Sequence, residues 1–191
     1  MSEPRRRNRR YAAIRLSLVE LAAFALFAAL MFLLRYSLQV IPSIHPLAML
    51  MASFTLVWRV RALIPIYLYV AIEMIIGGFA FMGWLYLYAW FPLWAAILFW
   101  GFMFDRRPDM KQRNKALLLM LTCAAHGMLF GTLSAPLHVL MFGPRSWQAF
   151  VAYIAAGLWF DAVHAVGNFA IASLILPMVA LLEKLRRRSV A

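Results

Sequence analysis

The sequence predicts an all-α integral membrane protein, a bundle of about six transmembrane helices with the N-terminus and C-terminus cytoplasmic. Three observations predict it. Of 191 residues, 65% are hydrophobic and 14% charged, with a mean hydropathy of +0.80. Soluble domains are about half apolar and about a quarter charged, so the surplus needs lipid. Apolar runs recur at about the 20 residues that a membrane-crossing helix requires. The 19 Lys and Arg fall mostly into alternate intervals between those runs.

Residues 1–15 form a basic cytoplasmic tail with Arg5, Arg6, Arg7, Arg9, Arg10 and Arg15. A basic start can open a signal peptide, but the apolar stretch that follows is too long and lacks a clear cleavage site. It reads as a retained first span. The transmembrane domain covers residues 16–185. Its first span is expected over 16–38 and a short second one over 44–59. Arg59, Val60 and Arg61 make a tight turn into a third span, 62–76, which Gly77 and Gly78 end. A fourth span over 83–104 leads to a charged loop, 105–115, and a fifth span covers 116–133. Residues 134–146 carry Pro136, Gly143 and Pro144 and are expected to form a re-entrant or surface segment. Residues 147–185 are too long for one span. A break near Gly157 would leave a short helix and a last span over 158–182. Residues 186–191 are a basic cytoplasmic tail.

Orientation follows from counting bases. With the N-terminus inside, seventeen of the nineteen Lys and Arg are cytoplasmic, and only Arg35 and Arg145 lie outside. That bias satisfies the positive-inside rule and requires an even number of spans. The net charge of +12 would point to nucleic acid in a soluble protein. Here the bases flank membrane spans, so membrane lipid and no nucleic acid is the expected partner. The single cysteine, Cys123, excludes an intramolecular disulfide and a multi-cysteine metal site.

Polar residues at membrane depth are costly and mark candidate sites. Asp161, His164 and Asn168 follow one another at i, i+3 and i+7 and share one helix face. Gly167 beside them permits close helix contact. They form either a ligand site or a hydrogen-bond network that fixes the fold. His126, followed by Gly127, lies mid-span and either faces His164 across the interface or is structural. His138 is near Pro136 in the irregular outer segment, and His45 is in the first outer loop between Pro42 and Pro46. No two histidines lie four residues apart on one helix, so no metal or other cofactor is expected. Glu73, deep in the third span, can pair with a histidine or a ligand. Glu20, near the start of the first span, can snorkel or pair with a basic neighbour. Trp84, Tyr86, Tyr88, Trp90 and Trp94 on the fourth span are either an interfacial belt or the wall of a pocket for a ringed ligand. On the first span Ala25 and Ala29, with Ala22 a turn before, form a small-xxx-small pair. Such a pair either docks a partner or packs internally.

Six short spans, both ends inside, the Ala25/Ala29 pair and the segment Ala156-Gly157-Leu158-Trp159-Phe160-Asp161-Ala162-Val163-His164-Ala165-Val166-Gly167-Asn168 resemble the substrate-binding S components of energy-coupling factor (ECF) vitamin transporters. Those proteins often start their last helix with a Gly-Leu-Pro-Phe-Asp-like turn, followed by a polar face ending in Asn. Trp159 stands where proline is common. The resemblance implies an S component of an ECF-type ABC importer in a prokaryotic plasma membrane. It would capture a vitamin-like molecule in a pocket of the first outer loop and later spans, then topple to release it inside. Substrate contacts would come from Asp161, His164, Asn168, His126, Trp84, Tyr86, Tyr88, His45 and His138. Ala25 and Ala29 would dock a transmembrane scaffold subunit that works with two ATPase subunits. The chain has no Gly-rich phosphate loop, so the ATPases would supply hydrolysis, and the chain would not itself be an enzyme. Two rival readings stand beside this one. His164 and Asn168 match the His-xxx-Asn element of intramembrane prenyl-protein endopeptidases, but the Glu-Glu-xxx-Arg element of those metal-dependent enzymes is missing. The other rival is a purely structural membrane protein.

Overall fold

The computed structural model describes residues 18–40 and 44–188. The N-terminal tail with Arg5 to Arg15, Pro42 and residues 189–191 lie outside the described residues. The described elements are all helical: α1 (Leu18–Ser37), α2 (Leu47–Trp58), a 3₁₀ turn (Arg59–Ala62), α3 (Leu63–Ile76), α4 (Phe81–Arg106), α5 (Gln112–Met128), α6 (Phe130–Met141), α7 (Trp147–Ala172) and α8 (Ile175–Arg188). Five helical segments are long and apolar enough to cross a membrane: Leu18–Ser37, Leu47–Ile76, Phe81–Arg106, Gln112–Met141 and Trp147–Ala172. Together they indicate a multi-pass membrane protein.

Two of the five segments are compound. The first, residues 47–76, joins α2 to α3 through the 3₁₀ turn, where Arg59 has a φ of 55°. A non-glycine residue rarely adopts that left-handed region, and there it ends the helix. The second, residues 112–141, joins α5 to α6 at Leu129.

Ion pairs fix how the helices run. Arg61 lies 3.5 Å from Glu20 at the start of α1, and Arg35 lies 3.2 Å from Glu73 at the other end of both helices. α1 and α3 therefore run the same way. Glu20 thus meets a basic neighbour, and Arg35 is the partner of Glu73. At the Glu20 end, Arg59 also pairs with Asp105 of α4 at 2.9 Å, and Arg186 of α8 donates to the Val57 carbonyl of α2 at 2.8 Å. One end of the bundle thus gathers arginines, while the Arg35 end holds the cavity described below.

α2 is the centre of the core. Eleven of its twelve residues are buried, against α4, α7, α8 and neighbouring elements. A helix apolar on every side suits that position. Its hydroxyls are satisfied locally: Ser53 Oγ donates to the Met49 carbonyl at 2.8 Å and Thr55 Oγ1 to the Met51 carbonyl at 2.7 Å.

The later elements differ from expectation in three places. Most of the expected irregular segment 134–146 is helical, because α6 runs to Met141 with Pro136 inside it. Proline removes the helical hydrogen bond to the residue-132 carbonyl, and the two carbonyls that flank it accept from hydroxyls. Ser134 Oγ donates to the Gly131 carbonyl at 3.0 Å and Tyr88 Oη to the Leu133 carbonyl at 2.8 Å. Second, α7 passes through Gly157 without a break. A Cβ there would meet nothing within 4 Å, so that glycine leaves space rather than bending the chain. The interruption comes instead at residues 173–174, before Pro177. Proline restricts the residue before it and has no N–H to return to residue 173. Ser173 Oγ donates to the Ala170 carbonyl at 2.7 Å at this break. Third, the expected C-terminal tail is helical through Arg188.

A candidate ligand-binding cavity

A cavity of about 520 Å³ opens at the Arg35 end of the bundle, within the ~300–1,000 Å³ typical of small-molecule sites. Five parts of the chain build it. The end of α1 and the loop after it supply Arg35, Leu38 and Gln39, and His45 precedes α2. The start of α4 supplies Phe81, Met82, Leu85 and Tyr86. α6 gives Phe130, Gly131 and Ser134, and α7 gives Tyr153, Ala156, Gly157, Phe160, Asp161 and His164.

The break at Leu129 creates the cavity's most constrained contact. A helix start leaves backbone N–H groups without intrahelical partners, and in a membrane no water satisfies them. Asp161 of α7 does so. Its two carboxylate oxygens accept from the Gly131 N–H at 2.9 and 3.1 Å. A Cβ at residue 131 would collide with that carboxylate, so glycine is required. The positive end of the α6 dipole also favours a negative group there. Gly127, two residues before the break, works the same way for packing: a Cβ there would come within 3.0 Å of the α7 backbone at His164 and Ala165. α5 and α7 therefore lie close together. Gly167 faces elsewhere, into an outer groove with Trp159 and Val163.

Charge and polarity are unevenly spent. Arg35 Nε donates to Tyr86 Oη at 3.3 Å and pairs with Glu73, and its guanidinium lies 5.9 Å from the centre of the Tyr86 ring. Glu73 is 7% exposed, so the arginine compensates a carboxylate that burial alone would disfavour. The histidines are not compensated. His45 and His164 meet edge to face with ring centres 5.3 Å apart, and Phe130 stands 5.2 Å from His164. Neither His45 Nδ1 nor His164 Nε2 has a hydrogen-bond partner among the described residues. Burial, opposed by a backbone hydrogen bond, lowers the pKa of His45 in the loop before α2. A neutral imidazole offers one donor and one acceptor. An unmet buried polar group costs about 1–3 kcal/mol, which a ligand would recover.

Of the residues singled out from sequence, Asp161, His164, His45 and Tyr86 meet in the cavity wall. The others lie elsewhere. Asn168 is deeper, donating to the Cys123 carbonyl at 3.2 Å. His126 sits behind the wall, its Nε2 2.8 Å from the Ala89 carbonyl and its ring stacked on Trp90. His138 stacks on Tyr153, ring centres 4.1 Å apart, outside the lining. Trp84 and Tyr88 face outward, 43% and 38% exposed. Ala25 and Ala29 are exposed on α1. Among the described residues no group of three or more His, Cys, Asp or Glu is placed to hold a metal ion.

Sequence reasoning missed Arg35, Gly131, Phe130, Tyr153 and Phe160, and it left Glu73 without its partner. Arg35 carried a signal: it is one of only two bases that the charge count leaves outside, and it lies within an apolar span. Gly131 carried none, because its role depends on a residue thirty positions away. Comparison with protein-family models, with curated proteins and with solved structures finds no match.

Proposed function

We propose that the chain is the membrane-embedded substrate-binding subunit of an ECF-type uptake system, capturing a vitamin-like molecule outside and delivering it inward with a partner ATPase module. The observation that carries this reading is the cavity, where His45 Nδ1 and His164 Nε2 lack partners between aromatic walls. A ringed ligand with polar edges would complete it. The cavity is built from the first loop and later helices, as the resemblance implies. It opens at the end opposite the arginines, which the positive-inside rule assigns to the cytoplasm. This reading counts α2 and α3 as separate short spans, giving six passes with both termini inside. The end-to-end pairing of α1 with α3 supports that count. The exposed Ala25 and Ala29 supply a face for the transmembrane scaffold.

Co-purification tests the proposal. The tagged chain, expressed in its native host and isolated in mild detergent, should bring down a membrane scaffold, two ATPases and a small molecule identifiable by mass spectrometry. Recovery of the chain alone, without ligand or ATPase, would overturn the reading in favour of an enzyme or a structural protein.

A further inference from the structure

At the arginine end a second space, about 520 Å³, is lined by Glu20, Val57, Trp58, Arg59, Arg61, Arg186 and Arg187. It shares Glu20, Trp58 and Arg186 with an apolar trough of about 390 Å³ that runs between α1 and α8 past Ala23, Leu26 and Leu30. The two spaces therefore form one amphipathic groove, basic at its mouth and apolar along its length. Among the described residues four arginines and Glu20 line the mouth, and Asp105 pairs with one of the four, Arg59. Arg59 is committed elsewhere, since Asp105 holds its Nη2 and Gly101 lies against Nη1. Arg61 is tied to Glu20 only at 3.5 Å and is 41% exposed. Arg187 is exposed beside it. Trp58, 9% exposed, keeps Nε1 without a partner where mouth and trough join.

We infer that this groove binds an anionic phospholipid, with its phosphate held by Arg61 and Arg187 beside Arg186, which the Val57 carbonyl fixes in place, and an acyl chain laid in the trough. Basic clefts between membrane helices suit anionic headgroups, and the inner leaflet supplies them. A free phosphate would satisfy the arginines but leave the trough empty, and a neutral lipid would fill the trough but gain nothing from the arginines. The inference rests on membrane embedding and on the arginine end facing inward. It does not require the transporter reading, and its test uses the isolated chain without partner subunits.

The test is lipid retention by native mass spectrometry, with the detergent-purified full chain offered phosphatidylglycerol, phosphatidylcholine or glycerol phosphate. Retention of phosphatidylglycerol should exceed that of phosphatidylcholine about tenfold, the scale expected for one to two arginines near a headgroup. The double variant Arg61→Gln/Arg187→Gln should remove most of that preference. Arg107→Gln/Arg113→Gln, at exposed bases of the same end, should change it less than about twofold. Leu30→Trp, at an exposed position in the trough, should reduce retention of both lipids. Equal retention of the two lipids overturns the inference. So does an equal effect of the two arginine pairs, or displacement of the lipid by equimolar glycerol phosphate.

Discussion

The chain interrupts a membrane-crossing segment at Arg59 and again at Leu129, and the two breaks share a plan. In each, a charged side chain bonds between the break and another helix, and a glycine makes room for it. At the first, Arg59 bonds Asp105, and a Cβ on Gly101 would collide with the guanidinium. At the second, Asp161 bonds the Gly131 N–H, and a Cβ on Gly131 would collide with the carboxylate. The surroundings differ. Arg59 and Asp105 are 32% and 63% exposed, while Asp161 is 5% exposed. Water can replace either partner of the first pair. Burial leaves the second pair fewer substitutes, so the same geometry matters less at the surface than in the interior.

The largest expected effect is at the buried break. Asp161→Ala should cost about 2–3 kcal/mol, the range for losing a hydrogen bond to a charged group and leaving its donor unmet. Asp161→Asn should cost less, because its amide oxygen still accepts. Thermal unfolding in detergent measures both, and an unchanged midpoint for the alanine variant would sink the capping role. Gly131→Ala should follow at about 1–3 kcal/mol through overpacking. If Gly131→Ala costs more than Asp161→Ala, backbone fit outweighs the bond.

The two ends should also answer to different solution conditions. His45 has a lowered folded pKa, so its contribution is complete above the ordinary imidazole value of about 6.5 and is lost as pH falls through the lower folded value. His45→Gln should flatten the acid side of the stability profile. An unaltered profile would remove His45 from the account. At the other end, Asp105→Ala should cost under about 1 kcal/mol, and less still in high salt. A loss as large as that of Asp161→Ala would erase the contrast between the two breaks.

These contrasts also separate what the sequence could express from what it could not. The Arg59 turn was legible because Arg-Val-Arg interrupts an apolar run locally. The end of α3 at Gly77 was legible for the same reason. The continuation of α6 past Pro136 was not, since proline has the same sequence signature whether a helix stops at it or passes through it. Gly157 misled because a glycine inside a long apolar helix has the same sequence signature whether it bends the chain or leaves space. In the cavity, Asp161 and His164 were legible from i, i+3 spacing. Gly131 was not, because it meets Asp161 only once α6 is in place, and His45, itself named from the sequence, showed no sign there of its contact with His164.

The burial of α2 bears on how the protein tolerates change. A helix with one lipid-facing side, such as α1, accepts many residues at every third or fourth position. Eleven of twelve positions in α2 face protein, so a saturation scan should show an unbroken block of intolerance with no helical rhythm. The same enclosure implies an order of assembly. α2 has almost no surface to offer lipid, and beyond Phe24 and Phe27 of α1 its neighbours come from chain made after it, so α4, α7 and α8 close around a segment that precedes them.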